Sequence, residues 1–193
     1  MIGPILLFVG AVLLINGIWT MGASAPNVAT EERNGALVLS GREVGVFNLF
    51  VGCLGFLIAL ATLLFAAARG ESVGSASIES GSFILLFAFT YLWVAANQFI
   101  RADGRALGWY CLFVAITTVP NAFIAIATAH GHAWPLWLGI DWAAWGFLWF
   151  QFFLQLSLQK PIGRLIGFTA IVEGVTTCWI PAYLLLTGYL AAS

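Results

Sequence analysis

Six apolar stretches constrain this chain more than anything else in it. They cover about 2–21, 45–68, 82–100, 107–129, 136–158 and 163–190. A helix needs about 20 apolar residues to cross the hydrocarbon of a bilayer, and each stretch meets that length. Between them the polar segments are short, except residues 22–44. Such a chain can satisfy its backbone hydrogen bonds in lipid only as helices. The expected fold class is an all-α integral membrane protein, a bundle of six transmembrane helices in one domain, 1–193. The last stretch is longer than a span needs, which implies tilt or an overhanging end.

Composition agrees. Only 8% of the 193 residues are charged, against about 25% in soluble domains, and mean hydropathy is +1.00. The net charge is −1 with no basic patch, so no nucleic-acid partner is expected. Cys53, Cys111 and Cys178 each sit in an apolar run without a C-x-x-C spacing. They read as small buried hydrophobes rather than a disulfide or metal framework. Ala23-Ser24-Ala25 imitates a signal-peptidase site, but residues 1–20 hold no Lys or Arg. The positive region of a signal peptide is therefore missing, and the first stretch reads as a retained span.

Charge sets the orientation. The segments after the first, third and fifth spans carry Arg33, Arg42, Arg101, Arg105, Lys160 and Arg164, while the opposite side carries Arg69. The positive-inside rule puts the first set in the cytoplasm and both termini outside. The connection 22–44 is the longest and holds Glu31, Glu32, Arg33, Arg42 and Glu43. The linker 69–81 is polar and short. Neither has room for a catalytic domain.

Polar residues inside the spans are the candidate functional groups. Glu173 is read as the one ionisable residue deep in a span, where a carboxylate costs a few kcal/mol or more unless hydrated, paired or protonated. It is either an inter-helix hydrogen-bonding acid or a pore-lining acceptor. Asn16-Gly17 in the first span has a local frame similar to Glu173-Gly174 in the sixth, and these glycines would let helices approach closely. Leu6, Leu13 and Asn16 share a broad helical face, which on its own suggests packing as readily as a pore. Phe87 and Tyr91 stand at i and i+4, with Asn97 beyond them. Gln151 and Gln155 read as interfacial, and Asp141 as an N-terminal cap of the fifth helix. Pro120 and Pro181 each remove a backbone donor and should bend their helices. His130 and His132 read as solvated loop residues, because two histidines alone make a poor metal site.

Trp142, Trp145 and Trp149 fall at i, i+3 and i+7, with Leu148 beside them. One helical face therefore carries three indoles. They spread over about 10 Å of rise, so they cannot all sit at one membrane interface. Some must look inward, at protein or at a pore.

Taken together, these residues resemble the AmiS/UreI family of urea and short-chain amide channels, over nearly the whole chain. The resemblance rests on Leu-Leu-x-x-Gly-x-x-Leu-x-x-Asn-Gly from Leu6 to Gly17, Phe-Thr-Tyr at 89–91, and Trp109-Tyr110 with Phe113-Val114-Ala115-Ile116. It continues through Thr118-Val119-Pro120, Trp142-x-x-Trp145-Gly146-x-Leu148-Trp149, Ile171-Val172-Glu173-Gly174 and Trp179-Ile180-Pro181-Ala182. It implies a twisted six-helix protomer with its own pore, assembled as a homo-hexamer in a bacterial inner membrane. It implies passive conduction of urea or short aliphatic amides such as acetamide, without cofactor, metal or enzymatic chemistry. By motif match the constrictions would be formed by Leu6, Leu13, Phe87, Tyr91, Trp145, Leu148 and Trp149. Trp142 lies near the outer one, and Asn16 and Glu173 match polar pore positions.

Two departures matter. The family's acid-gated members have outer loops rich in histidine and carboxylate, whereas linker 69–81 is short and lacks histidine. A strong acid gate is therefore not expected. The longer loop 22–44 reads most simply as a flexible surface loop, the alternative being a dock for a cytoplasmic amidase or urease. A proton-coupled amide or urea transporter using Glu173 remains the alternative to a channel. An intramembrane hydrolase lacks a buried nucleophile, a second carboxylate and a metal cluster.

Overall fold

The computed structural model describes residues 2–23 and 39–190; the expectations placed on Glu31, Glu32 and Arg33 lie outside these. The described chain is helical nearly throughout: α1 (Ile2–Ala23), α2 (Gly41–Ala68), α3 (Ala76–Ile100), α4 (Arg105–Ala127), α5 (Ala133–Leu156), α6 (Gly163–Glu173) and α7 (Ile180–Leu186). A π-helical turn, Gly174–Trp179, joins α6 to α7, so these three pieces make one sixth span, Gly163–Leu186.

Five of the spans are both long and apolar enough to cross a membrane. The fifth helix, α5, has the length, at 24 residues. Its run of tryptophans and its Asp141, Gln151 and Gln155 make it the least apolar, which suits a helix facing something other than lipid.

The observed ends differ from the expected ones where local hydrogen bonding outweighs hydropathy. α2 begins four residues before position 45, because Ser40 and Glu43 form a capping box: Ser40 Oγ accepts from Glu43 N (3.2 Å) and Glu43 Oε2 accepts from Ser40 N (3.4 Å). α3 begins at Ala76 rather than 82, because Ser75 caps it by accepting from Ile78 N at 3.4 Å. Half of the presumed linker 69–81 is therefore helix. The sixth span stops at Leu186, and Gly188 at φ +78° turns the chain away. The sulfurs are free, but Cys53 is exposed on α2, which corrects the reading of all three as buried.

Backbones approach each other in the cyclic order α1, α2, α3, α4, α5, α6 and back to α1. Among the described residues, no two helices across that ring come within 8 Å Cα to Cα. Packed helix axes lie about 8–10 Å apart, so the ring encloses space that only side chains can fill. Three antiparallel pairs in this ring are tight, and glycine makes each so. A Cβ on Gly17 would lie 2.7 Å from the Gly167 carbonyl oxygen, and one on Gly10 would lie 2.9 Å from that of Gly174, joining α1 to the sixth span. Gly52 presses on Leu92 and Gly55 on Ala88 between α2 and α3. Gly139 presses on Ile126 and Gly146 on Thr118 between α4 and α5. In lipid, where no hydrophobic effect drives helices together, such close contact is a main source of association.

Both prolines sit as expected within spans, with different outcomes. α4 continues through Pro120 without a break. Pro181 lies in the first turn of α7, directly after the π turn, where its ring meets no preceding α-helical carbonyl.

Candidate pore

The tryptophan face of α5 points into the ring. Trp142, Trp145, Leu148 and Trp149 are all buried, at 7%, 4%, 5% and 6% exposure. Opposite them, α3 delivers Phe87. Its ring centroid lies 5.9 Å from Trp142, 4.9 Å from Trp145 and 4.8 Å from Trp149, and its plane is nearly perpendicular to Trp145, at 87°. Trp142 and Trp145 also meet edge to face, at 5.2 Å and 77°. These are favourable aromatic geometries. Because α3 and α5 share no close backbone approach, it is side chains that bridge the ring here, and Phe83 of α3 adds an edge-to-face contact with Trp142 at 5.3 Å.

A cavity opens on each side of the cluster. The first, about 380 Å³, lies toward the start of α1 and the α4–α5 turn. Leu6, Phe83, Ile84, Asn121, Trp134 and Trp142 line it, and Glu79 stands at its rim. The second, about 280 Å³, lies toward the α3–α4 turn and the end of α5. Its walls include Leu13, Asn16, Tyr91, Asn97, Leu148, Trp149 and Gln155. Phe87 and Trp145 line both. The two spaces are thus vestibules on either side of one phenyl and one indole, which wall both. Both are predominantly apolar; the second carries several side-chain amides on its wall, and the first carries one, Asn121.

The polar groups are held in pairs. Asn16 Nδ2 donates to Asn48 Oδ1 (3.1 Å), and Asn48 Nδ2 donates back to Asn16 Oδ1 (2.7 Å) and to the Val44 carbonyl (2.8 Å). Asn48 is fully buried, while Asn16 reaches the second vestibule. The Val44 bond fixes which way the Asn48 amide faces, and Asn48 in turn orients Asn16. Each Asn16 atom keeps one hydrogen-bonding direction free of the pair. On the other side, the Trp145 Nε1–H donates to Thr177 Oγ1 (2.8 Å), and that hydroxyl donates to the Glu173 carbonyl (2.7 Å).

Of the residues expected at the site, Leu6, Leu13, Asn16, Phe87, Tyr91, Trp142, Trp145, Leu148 and Trp149 line one vestibule or both. Glu173 is buried, borders neither, and has an unpartnered Oε2. Three expectations need correction. Asp141 does not cap α5, whose N-cap is His132. It lies two turns inside, 1% exposed, with neither carboxylate oxygen partnered. The deep ionisable residues are therefore two, not Glu173 alone. Nor is Gln151 interfacial: it is buried and donates to Thr169 Oγ1 (3.2 Å), while Gln155, one residue from the end of α5, lines the second vestibule.

A family model described as the AmiS/UreI family transporter matches residues 33–189. The chain belongs to the AmiS/UreI family. It is 34% identical to the acid-activated urea channel of Helicobacter pylori over 96% of this chain and 97% of that one. It is 36% identical to a Mycolicibacterium smegmatis protein named as a transporter of amidate substrates, over 95% and 75% of the two. The crystal structure of the H. pylori urea channel superposes with a TM-score of 0.81, 32% identity, and 99% and 100% coverage. This AmiS/UreI protein is thus a multi-pass membrane protein of a channel and transporter family, not an enzyme.

Residues that sequence reasoning passed over in the family's frame are Asn48, Asp141 and Thr177. Asn48 carries the same signal as Asn16, a lone amide inside an apolar run. Asp141 needed only a helix start three residues earlier. Thr177 gives no signal by itself, because threonine hydroxyls bond their own helix carbonyls in membrane spans.

Proposed function

We propose that this AmiS/UreI protein is a passive channel for urea and short aliphatic amides such as acetamide. The supporting observation is the pair of vestibules that converge on Phe87 and Trp145 from opposite ends of the bundle. Urea and acetamide are small, flat and neutral. A slot between aromatic faces accepts their planes, and the amides of Asn16 and Gln155 offer donors and acceptors at the edge. Hydrated ions find no charge on the aromatic walls to replace their water. Relatives named as a urea channel and as an amide transporter support the same substrate class.

Arg42, Arg101, Arg105, Lys160 and Arg164 mark the end of the second vestibule, and Arg69 the other. The second vestibule then opens to the cytoplasm of a bacterial inner membrane, with both termini outside. The apolar outer faces, such as Phe50, Leu57 and Leu64 on α2 and Phe113, Ile116 and Phe123 on α4, meet lipid or neighbouring protomers of a homo-hexamer. His130 and His132 line neither vestibule, and Glu79 is the titratable side chain at the outer one. On this reading the channel works without a strong acid gate.

Proteoliposomes test this. Urea and acetamide should equilibrate without a proton or sodium gradient, and urea flux should differ less than about twofold between external pH 5 and pH 7.5. Accumulation against a gradient would instead make Glu173 the proton site of a coupled transporter. A tenfold rise at pH 5 would restore the acid gate. Trp149→Ala should change the urea-to-acetamide permeability ratio by at least about threefold, because its indole faces Phe87 at the mouth of the second vestibule. An unchanged ratio in correctly assembled protein removes Trp149 from the filter.

A further inference from the structure

We propose that Thr177, presented by the π-helical turn, is the positioning residue that fixes the plane of the Trp145 indole and so sets the width of the passage. This rests on the channel reading above.

Trp145 and Phe87 are shared by both vestibules, so the orientation of one indole decides whether the two connect. An indole has one donor, and that of Trp145 goes to Thr177 Oγ1 at 2.8 Å. The hydroxyl cannot swing away, because its own proton is given to the Glu173 carbonyl at 2.7 Å. Donor and acceptor capacity of Thr177 are thus directed at protein atoms on both sides. The hydroxyl does not serve the solute; it serves the indole.

The mount is rigid. Gly174, the first residue of the π turn, abuts α1 backbone to backbone. A Cβ there would lie 3.0 Å from the Gly10 carbonyl oxygen, and a Cβ on Gly10 would lie 3.0 Å from Trp179 N. The turn is clamped between α1 on one side and Trp145 of α5 on the other. A π turn inside an α-helix is rare and frequently lies at a functional site. Here the side chain aimed across the helix boundary is Thr177, 6% exposed. With the indole held, its face stays perpendicular to Phe87, at 87°. Released, the indole is free to rotate about its side-chain bonds, and the edge-to-face closure loosens.

Isosteric substitution separates this role from packing. Thr177→Val keeps shape and removes the hydroxyl; Thr177→Ser keeps the hydroxyl. In proteoliposomes, T177V should raise the permeability of butyramide relative to urea about fivefold, the effect of losing one hydrogen bond. T177S should stay within about 1.5-fold of the native ratio. The size-exclusion profile of the assembled protein should be native in both. In a Trp145→Phe background, which lacks the donor, adding T177V should change the ratio by less than about 1.5-fold. If T177V does not assemble, Thr177→Ala against T177S makes the same comparison. Equal shifts in the hydroxyl-free and hydroxyl-bearing variants overturn the proposal, as does an unchanged ratio in T177V or an additive effect in the Trp145→Phe background. The native protein is the control: if it conducts neither urea nor acetamide, the channel reading fails first; if it conducts and T177V matches it, only the role of Thr177 fails.

Discussion

Phe87→Ala is expected to raise the permeability of butyramide relative to urea by about tenfold, corresponding to roughly 1.4 kcal/mol removed from the barrier for the larger solute. Phe87 is the single α3 side chain that meets Trp142, Trp145 and Trp149 at once. It also walls both vestibules. Removing its ring leaves Trp145 and Trp149 without their α3 partner, Phe83 reaching only Trp142, and no helix backbone stands near enough to fill the gap. Urea, the smaller solute, is limited less by that ring, so its own flux should change less. Phe87→Trp adds bulk at the same place and should reduce urea flux by a comparable factor. Stopped-flow light scattering on proteoliposomes reads both. An unchanged butyramide-to-urea ratio in assembled Phe87→Ala protein would move the narrow point elsewhere.

The second large effect concerns the wall rather than the bore. Gly17→Val should lower the thermal midpoint of the detergent-solubilised protein by about 5–10 °C, as expected for an overpacking cost of about 2–3 kcal/mol in a chain of this size. The first added carbon would lie 2.7 Å from the Gly167 carbonyl oxygen and 2.7 Å from Ile171 Cγ1. The oxygen is backbone and cannot turn aside, so α1 and α6 must separate. That displacement would also disturb the hydrogen-bonded pair that Asn16, the neighbouring residue, makes with Asn48. Gly3→Ala is the matched control. Its new carbon meets side chains alone, Leu186 Cγ at 3.2 Å and Leu185 Cβ at 3.7 Å, and the Leu186 side chain can rotate, so the midpoint should move little. A native midpoint for Gly17→Val would mean that the tight pairing of α1 with the sixth span contributes little to stability.

The spans and the inward tryptophan face were legible in the sequence for simple reasons. A run of about 20 apolar residues has few alternatives in a membrane, and the spacing 142, 145, 149 fixes one helical face whatever the neighbours do. The helix starts were less legible. Ser75 begins α3 through one hydrogen bond and Ser40 begins α2 through a reciprocal pair with Glu43, while the residues after them are polar and lower the local hydropathy. The same slip of a few residues turned Asp141 from a buried carboxylate into an apparent cap. Asn48 and Thr177 were harder still. Each acquires its role from a partner on another helix, Asn16 in one case and Trp145 in the other. Sequence periodicity describes one helix at a time and holds no record of which helices meet. The π turn has the same character, since nothing in Gly-Val-Thr-Thr-Cys-Trp distinguishes it from an ordinary helical segment.

The ring of helices is built as three stiff staves, each a glycine-zipped antiparallel pair, abutting along looser seams between α1 and α2, α3 and α4, and α5 and α6. The aromatic plug spans two different staves, with Phe87 on one and the indoles on another. A change of solute preference therefore does not require any stave to be rebuilt. Trading one ring for another at the bore alters what passes, while the zippers that keep the barrel standing are left alone.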